Sequence, residues 1–159
     1  MTPKVRLRMN LKKLISDYLQ EAKLMSIATV KKNKPWVATV WYIHDENFNL
    51  YFVSRKTRRH SLELKENPNV SGAITKPHKT LGVKTRGLQF EGICQEVRGT
   101  ELIQVFSRFI KRFPGVTKFV LSPKEIVKTP HRFYKIVPSR IVLFDEINFP
   151  DNPRQELKL

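Results

Sequence analysis

At 159 residues the chain is one domain's worth, long enough to bury roughly 68–70% of its unfolded surface and so to build a core without staples. Its 40% hydrophobic and 10% aromatic content, with no run of 18 apolar residues, excludes a fibrous, disordered or helix-spanning membrane chain. Thirty Lys and Arg against fourteen Asp and Glu give a formal net charge of +16, a surface that attracts nucleic acid, phosphorylated ligands or acidic partners without choosing among them.

Cys94 is the lone cysteine, which excludes an internal disulfide and points to a reducing, cytoplasmic compartment. The opening MTPKVRLRMN carries charges but no apolar stretch of the kind a secretory signal needs.

In chain order, Leu11, Leu14, Ile15, Tyr18, Leu19 and Ala22 recur at helical spacing and predict an amphipathic helix over 9–23. LMSIATV (24–30) and PWVATVWYI (35–43) follow as strands across the polar turn KKNK, and LYFV (50–53) follows across DENFN. A short helix over 57–66 comes next, with Thr57 as the expected N-cap and Asn67-Pro68 as its stop. NVSGAI (69–74) is a strand, then a polar loop leads into GLQFEGICQEV (87–97), where Leu88, Phe90 and Cys94 share one face. A second amphipathic helix covers about 100–112 and ends at Pro114-Gly115. FVLSPKEIV is ambiguous, with a short helix after Ser122 as one reading. FYKIV (133–137) and RIVLFDEI (140–147) close the strand set, and the tail after them reads as loosely ordered.

No linker or internal repeat interrupts the chain, so residues 1–159 are expected to be one domain with its core over 10–148 and a tail over 149–159. Six or seven short, mostly antiparallel strands with two to four helices predict a mainly β fold. A small closed or nearly closed barrel fits best, and an open antiparallel sheet with helices on one face is the alternative.

The four histidines stand far apart without metal-ligand spacing, and no nucleophile elbow, Walker loop or dinucleotide-binding glycine motif is present. No metal site is expected, and no catalytic residue can be named. Any enzyme here would leave the reactive step to a bound cofactor. The feature that stands out is the turn between LYFVS and the helix at 57–66, which holds Arg55, Lys56, Arg58 and Arg59. A helix N-terminus is already positive, so cations there are repelled, each by about 0.3–1 kcal/mol when exposed. A solvated basic turn is the ordinary reading of such a run. A captured anion, met by N–H groups and side chains together, is the sharper one. Trp36, Trp41, Tyr42, Tyr51 and Phe52 on the two neighbouring strands belong mostly to core packing, but the outward set leaves a groove for a flat ring beside that turn.

With these residues in view the chain resembles the pyridoxamine-5′-phosphate-oxidase-like, FMN-binding split-barrel family over about residues 10–148. The strand–Ser–basic cluster–short helix–Asn-Pro phrase carries the resemblance best, and RGLQFEG, RFPG and FDEINFPDN suggest one particular branch. The resemblance implies a split barrel and a homodimer with FMN at its interface, a deazaflavin being the alternative. It also implies a flavin-dependent oxidoreductase acting on a small molecule the sequence does not name. By position, Ser54, Lys56, Thr57, Arg58 and Arg59, with His60 close by, would meet the phosphate. Thr39, Val40, Trp41, Phe52 and Val53 would lie against the ring, and Arg86 and Gly87 would come from across the dimer. Ala38 stands where the oxidases usually carry an Arg, and no Trp follows Trp41, so the vitamin B6 reaction itself is not expected. The competing reading is a cofactor-free, basic nucleic-acid-binding barrel, less favoured because the aromatics sit in strands and no recognition motif appears. No membrane partner is expected.

Overall fold

The structure is a computed structural model that describes residues 10–159. The first residue of the predicted helix, Met9, and the opening segment, read as no secretory signal, lie outside the described residues. The elements run α1 (Leu11–Glu21), β1 (Leu24–Lys31), β2 (Lys34–His44), β3 (Leu50–Arg55), α2 (Arg59–Glu66), β4 (Asn69–Ile74), β5 (Arg86–Glu96), α3 (Gly99–Arg112), β6 (His131–Asp145) and β7 (Arg154–Lys158). Two 3-10 turns, Pro114–Lys118 and Pro123–Lys128, lie between α3 and β6, the second starting after Ser122. Among the described residues no helix is long and apolar enough to cross a membrane.

All strand pairs are antiparallel, in the order β3-β2-β1-β4-β5-β6-β7, and β3 also pairs with the first half of β6, so the sheet closes into a ring. The mainly β fold with helices around a split barrel is therefore the observed one. The expected strands at 133–137 and 140–147 are a single strand. Its first half closes the ring on β3, and its second half leaves the ring to carry β7. It bends where β5 shifts register between Glu91 and Gly92. A Cβ on Gly92 would collide with the backbone of Val137 and Pro138, so only glycine lets the strands approach there.

The tail is not loosely ordered. Residues 154–158 pair with Phe144–Arg140, while Phe149 and Leu157 pack on the core. The five-residue strand alternates exposed and half-buried positions, and its charges hide that period from a search for apolar runs.

Two cores follow from strand alternation. Leu50 and Phe52 point into the ring with Met25, Ile27, Tyr42, Phe90 and Tyr134, where Phe52 stacks on Tyr134 at 5.0 Å. Tyr51 points the other way, into a second cluster roofed by Val105, Phe106 and Phe109 of α3. Each such large side chain contributes about 1.5–3 kcal/mol by leaving water. Cys94 belongs to the inner core, and burial pushes its thiol up to about 12, so it is inert at neutral pH.

Candidate cofactor-binding site

The β3–α2 junction holds the predicted site. Strand β3 delivers Ser54 and Arg55, a turn closed by the Arg58 N–H donating to the Arg55 carbonyl follows, and α2 starts at Arg59. The N-cap is therefore Arg58, not Thr57. Thr57 is used up in the turn, so no side chain caps the helix, and its first turn holds no acidic residue. The leading N–H groups of α2 have no intrahelical partner. Ser54 Oγ and His60 Nε2 share a hydrogen bond at 2.8 Å, with His60 buried against Phe52.

The four cations do not point to one place. Arg55, Lys56 and Arg58 are exposed, with no ion pair among the described residues. Lys56 lines a groove of about 500 Å³ with Lys65, Glu96, Arg98, Leu102 and Arg132. Arg59 turns toward β1 and β2 instead. Its Nε donates to Glu63 Oε1 at 2.7 Å, and its guanidinium carbon lies 4.4 Å over the Trp36 ring. Glu63 is itself buried, and its other oxygen accepts from the buried Thr29 hydroxyl at 2.6 Å. Those bonds hold the Glu63 carboxyl below its usual range, the Thr29 hydroxyl first and Arg59 second. Trp36 is absent from the predicted site, and neither Glu63 nor Thr29 was singled out. The Arg59–Glu63 spacing of four was a visible signal, whereas the link to Thr29 on β1 was not.

Along β2, Thr39 and Trp41 face outward and Val40 faces the core, while Phe52 is fully buried and Val53 is half-buried. Phe52 can therefore offer a ligand only its backbone. Trp41 keeps 52% of its surface exposed and meets the Phe113 ring edge-on at 5.3 Å. Strand register sets Thr39 beside Ser26 and Trp41 beside Leu24, and Val37, Ala28, Ser71 and Glu91 form one outward row across four strands. Leu24, Val37 and Trp41 make this an exposed apolar face of β1 and β2. Arg86 and Gly87 sit elsewhere, at the start of β5 opposite Asp145 and Phe144. There Arg86 lies 3.5 Å from Glu21 and over the Tyr18 ring. Within one chain the fold does not bring them to the Ser54–Arg59 corner.

The sequence profile of the family described as Pyridoxamine 5′-phosphate oxidase matches residues 11–144. The chain belongs to this family. This family member is 26% identical over 139 residues to a UPF0306 protein of Klebsiella pneumoniae subsp. pneumoniae, covering 87% of this chain and 83% of that protein. It is similar in structure to General Stress Protein 26 of Bacillus anthracis str. Sterne, with a TM-score of 0.67 and 22% identity, over 95% of this chain and 100% of that one. It is also similar to a heme binding protein of Mycobacterium smegmatis, with a TM-score of 0.77 and 14% identity, over 96% of this chain and 59% of that one. At such identities the likeness of the structures is one of fold.

Burial is the first cause that pushes His60, His44 and His131 below the ordinary histidine range, with the nearby charge of Arg58, Arg112 and Arg55 respectively acting in the same direction. All three are thus held neutral by folding. Unfolded histidines take up protons below about pH 6.5 while the folded ones resist, so the unfolded state gains. The stabilisation is complete above that pH and is lost as pH falls through the lowered folded values. The carboxyls of Glu21 and Glu63, held low by their partners, release their own contribution only in stronger acid. Thermal unfolding followed by circular dichroism should therefore show a midpoint that is level near neutral pH and declines from about pH 6.5 toward 5, with a shallower decline in His60→Gln. A level midpoint over that range would contradict the assignment.

Proposed function

We propose that the chain is a homodimeric flavin-binding protein that takes FMN, with its phosphate at the β3–α2 junction and its ring along the outward side of β2. The observation that carries the reading is a helix start without a cap or an acidic residue, flanked by Ser54, His60, Arg58 and Arg59. A phosphate would take the uncapped N–H groups, Arg58 and the Nη groups of Arg59, with the hydrogen-bonded Ser54–His60 pair beside it. Thr39 and Trp41 lie on the strand whose backbone would support the ring, and the apolar face of Leu24, Val37 and Trp41 supports burial against a second copy. Arg86 and Gly87 would then enter the site from that copy. A bound flavin supplies two-electron transfer; the residues named hold and orient it and exclude water. Lys56, which lines a neighbouring groove with Lys65 and Arg132, contributes chiefly long-range attraction.

Titrating the purified protein with FMN, deazaflavin and haem separately, followed by absorbance and light scattering, tests this directly. Stoichiometric FMN uptake by a dimer supports the proposal. A deazaflavin preference changes the ring assignment only, and a Soret band without FMN uptake replaces it. Tight, steeply salt-dependent binding of single-stranded nucleic acid with no cofactor would favour the competing reading.

A further inference from the structure

Arg59 is held in a way that a surface ion pair does not require. Exposed pairs four residues apart on a helix contribute little, because both side chains remain mobile and solvated. Here the acidic partner is buried, and it is anchored a second time. Glu63 takes Arg59 Nε on one oxygen at 2.7 Å and the Thr29 hydroxyl on the other at 2.6 Å, which ties α2 to β1. Trp36, from β2, closes one face of the guanidinium at 4.4 Å. Three elements thus fix one planar cation, while its side chain keeps 45% of its surface exposed. Among the described residues the two Nη nitrogens make no hydrogen bond, and they carry four of the five guanidinium N–H groups.

We propose that Glu63 and Trp36 are positioning residues that hold Arg59 as a pre-set fork for the phosphate of the bound flavin, a role that rests on the flavin reading above. A free arginine loses much rotamer freedom on gripping a phosphate, and one already pinned at Nε and stacked loses less. The competing role is a plain counter-ion, and the two differ in sign. A carboxylate that only offsets Arg59 repels the phosphate, so removing it strengthens anion binding. A carboxylate that orients Arg59 weakens binding when lost, despite the charge it takes away.

The test compares FMN with riboflavin, which lacks the phosphate, in the full-length protein, Glu63→Ala, Glu63→Gln and Trp36→Leu, each checked for fold by circular dichroism. The parent is expected to prefer FMN by about tenfold or more. Glu63→Ala and Trp36→Leu should cut that preference about fivefold, leaving riboflavin affinity unchanged, and Glu63→Gln, which still accepts from Nε, should restore it. Trp36 is 43% exposed, so its replacement tests the fork even if Glu63→Ala fails to fold. A parent that discriminates while both variants keep or increase the preference overturns this proposal alone. A parent that binds neither flavin, or both alike, overturns the phosphate reading and this proposal together.

Discussion

Arg58→Ala combined with Arg59→Ala should weaken FMN binding about tenfold or more and leave riboflavin binding nearly unchanged. Charge-assisted hydrogen bonds are worth about 1.5–3 kcal/mol each, so losing even one exceeds a factor of ten. Arg58 occupies the N-cap position and is exposed, so its removal leaves the α2 start unaltered in structure but less positive. Arg59 adds the stacked fork over Trp36. Lys56→Ala, by contrast, should change affinity only slightly and mainly at low salt, because its exposed side chain lines a separate groove with Lys65 and Glu96. Isothermal titration of the three variants against both flavins separates these effects. A double variant that binds FMN like the parent would remove the phosphate from this junction.

Arg112→Ala should lower the free energy of unfolding by about 2–4 kcal/mol, the largest stability effect expected of any single charged residue here. Helix α1 ends with no basic residue in its last turn, and Glu21 places a negative charge there instead. Carbonyls at that end are met by Arg112 of α3, whose Nη2 donates to Gln20 O at 3.0 Å, to Ala22 O and, at 3.4 Å, to Leu19 O, which also accepts from the Tyr42 hydroxyl at 2.7 Å. The same guanidinium lies over the rings of Tyr42 and Phe113. It therefore joins the two cores, donates to part-buried and exposed carbonyls and complements the negative end of the α1 dipole. Lysine should restore little, since a single ammonium cannot reach the carbonyls and stack on the rings together. Urea unfolding followed by tryptophan fluorescence measures the change. A loss below about 1 kcal/mol would show that water replaces the guanidinium at this helix end.

Much of the fold was legible because the period of the apolar residues is a local property. Leu11 to Ala22 announced a helix and Leu88, Phe90 and Cys94 a strand face, and both are as read. The short turns KKNK and DENFN left β1, β2 and β3 little choice but an antiparallel meander. Thr57 misled because its side chain suits a cap, yet the Arg55–Arg58 turn occupies that stretch. The tail misled because a charged edge strand has almost no apolar signal.

The candidate site was half legible. A cluster of cations before a helix can be read from four neighbouring residues, but the direction each side chain takes cannot. Arg59 and Lys56 are three residues apart yet have different neighbours, because Glu63 and Trp36 hold one of them and a groove beside α3 receives the other. The order of strands and helices and the charge were settled by short-range spacing and composition. Ring closure by β3 on β6, the Glu63–Thr29 anchor and the grip of Arg112 on α1 join residues 34 to 93 positions apart. Such contacts form when distant faces are buried together, and no local periodicity encodes which faces will meet.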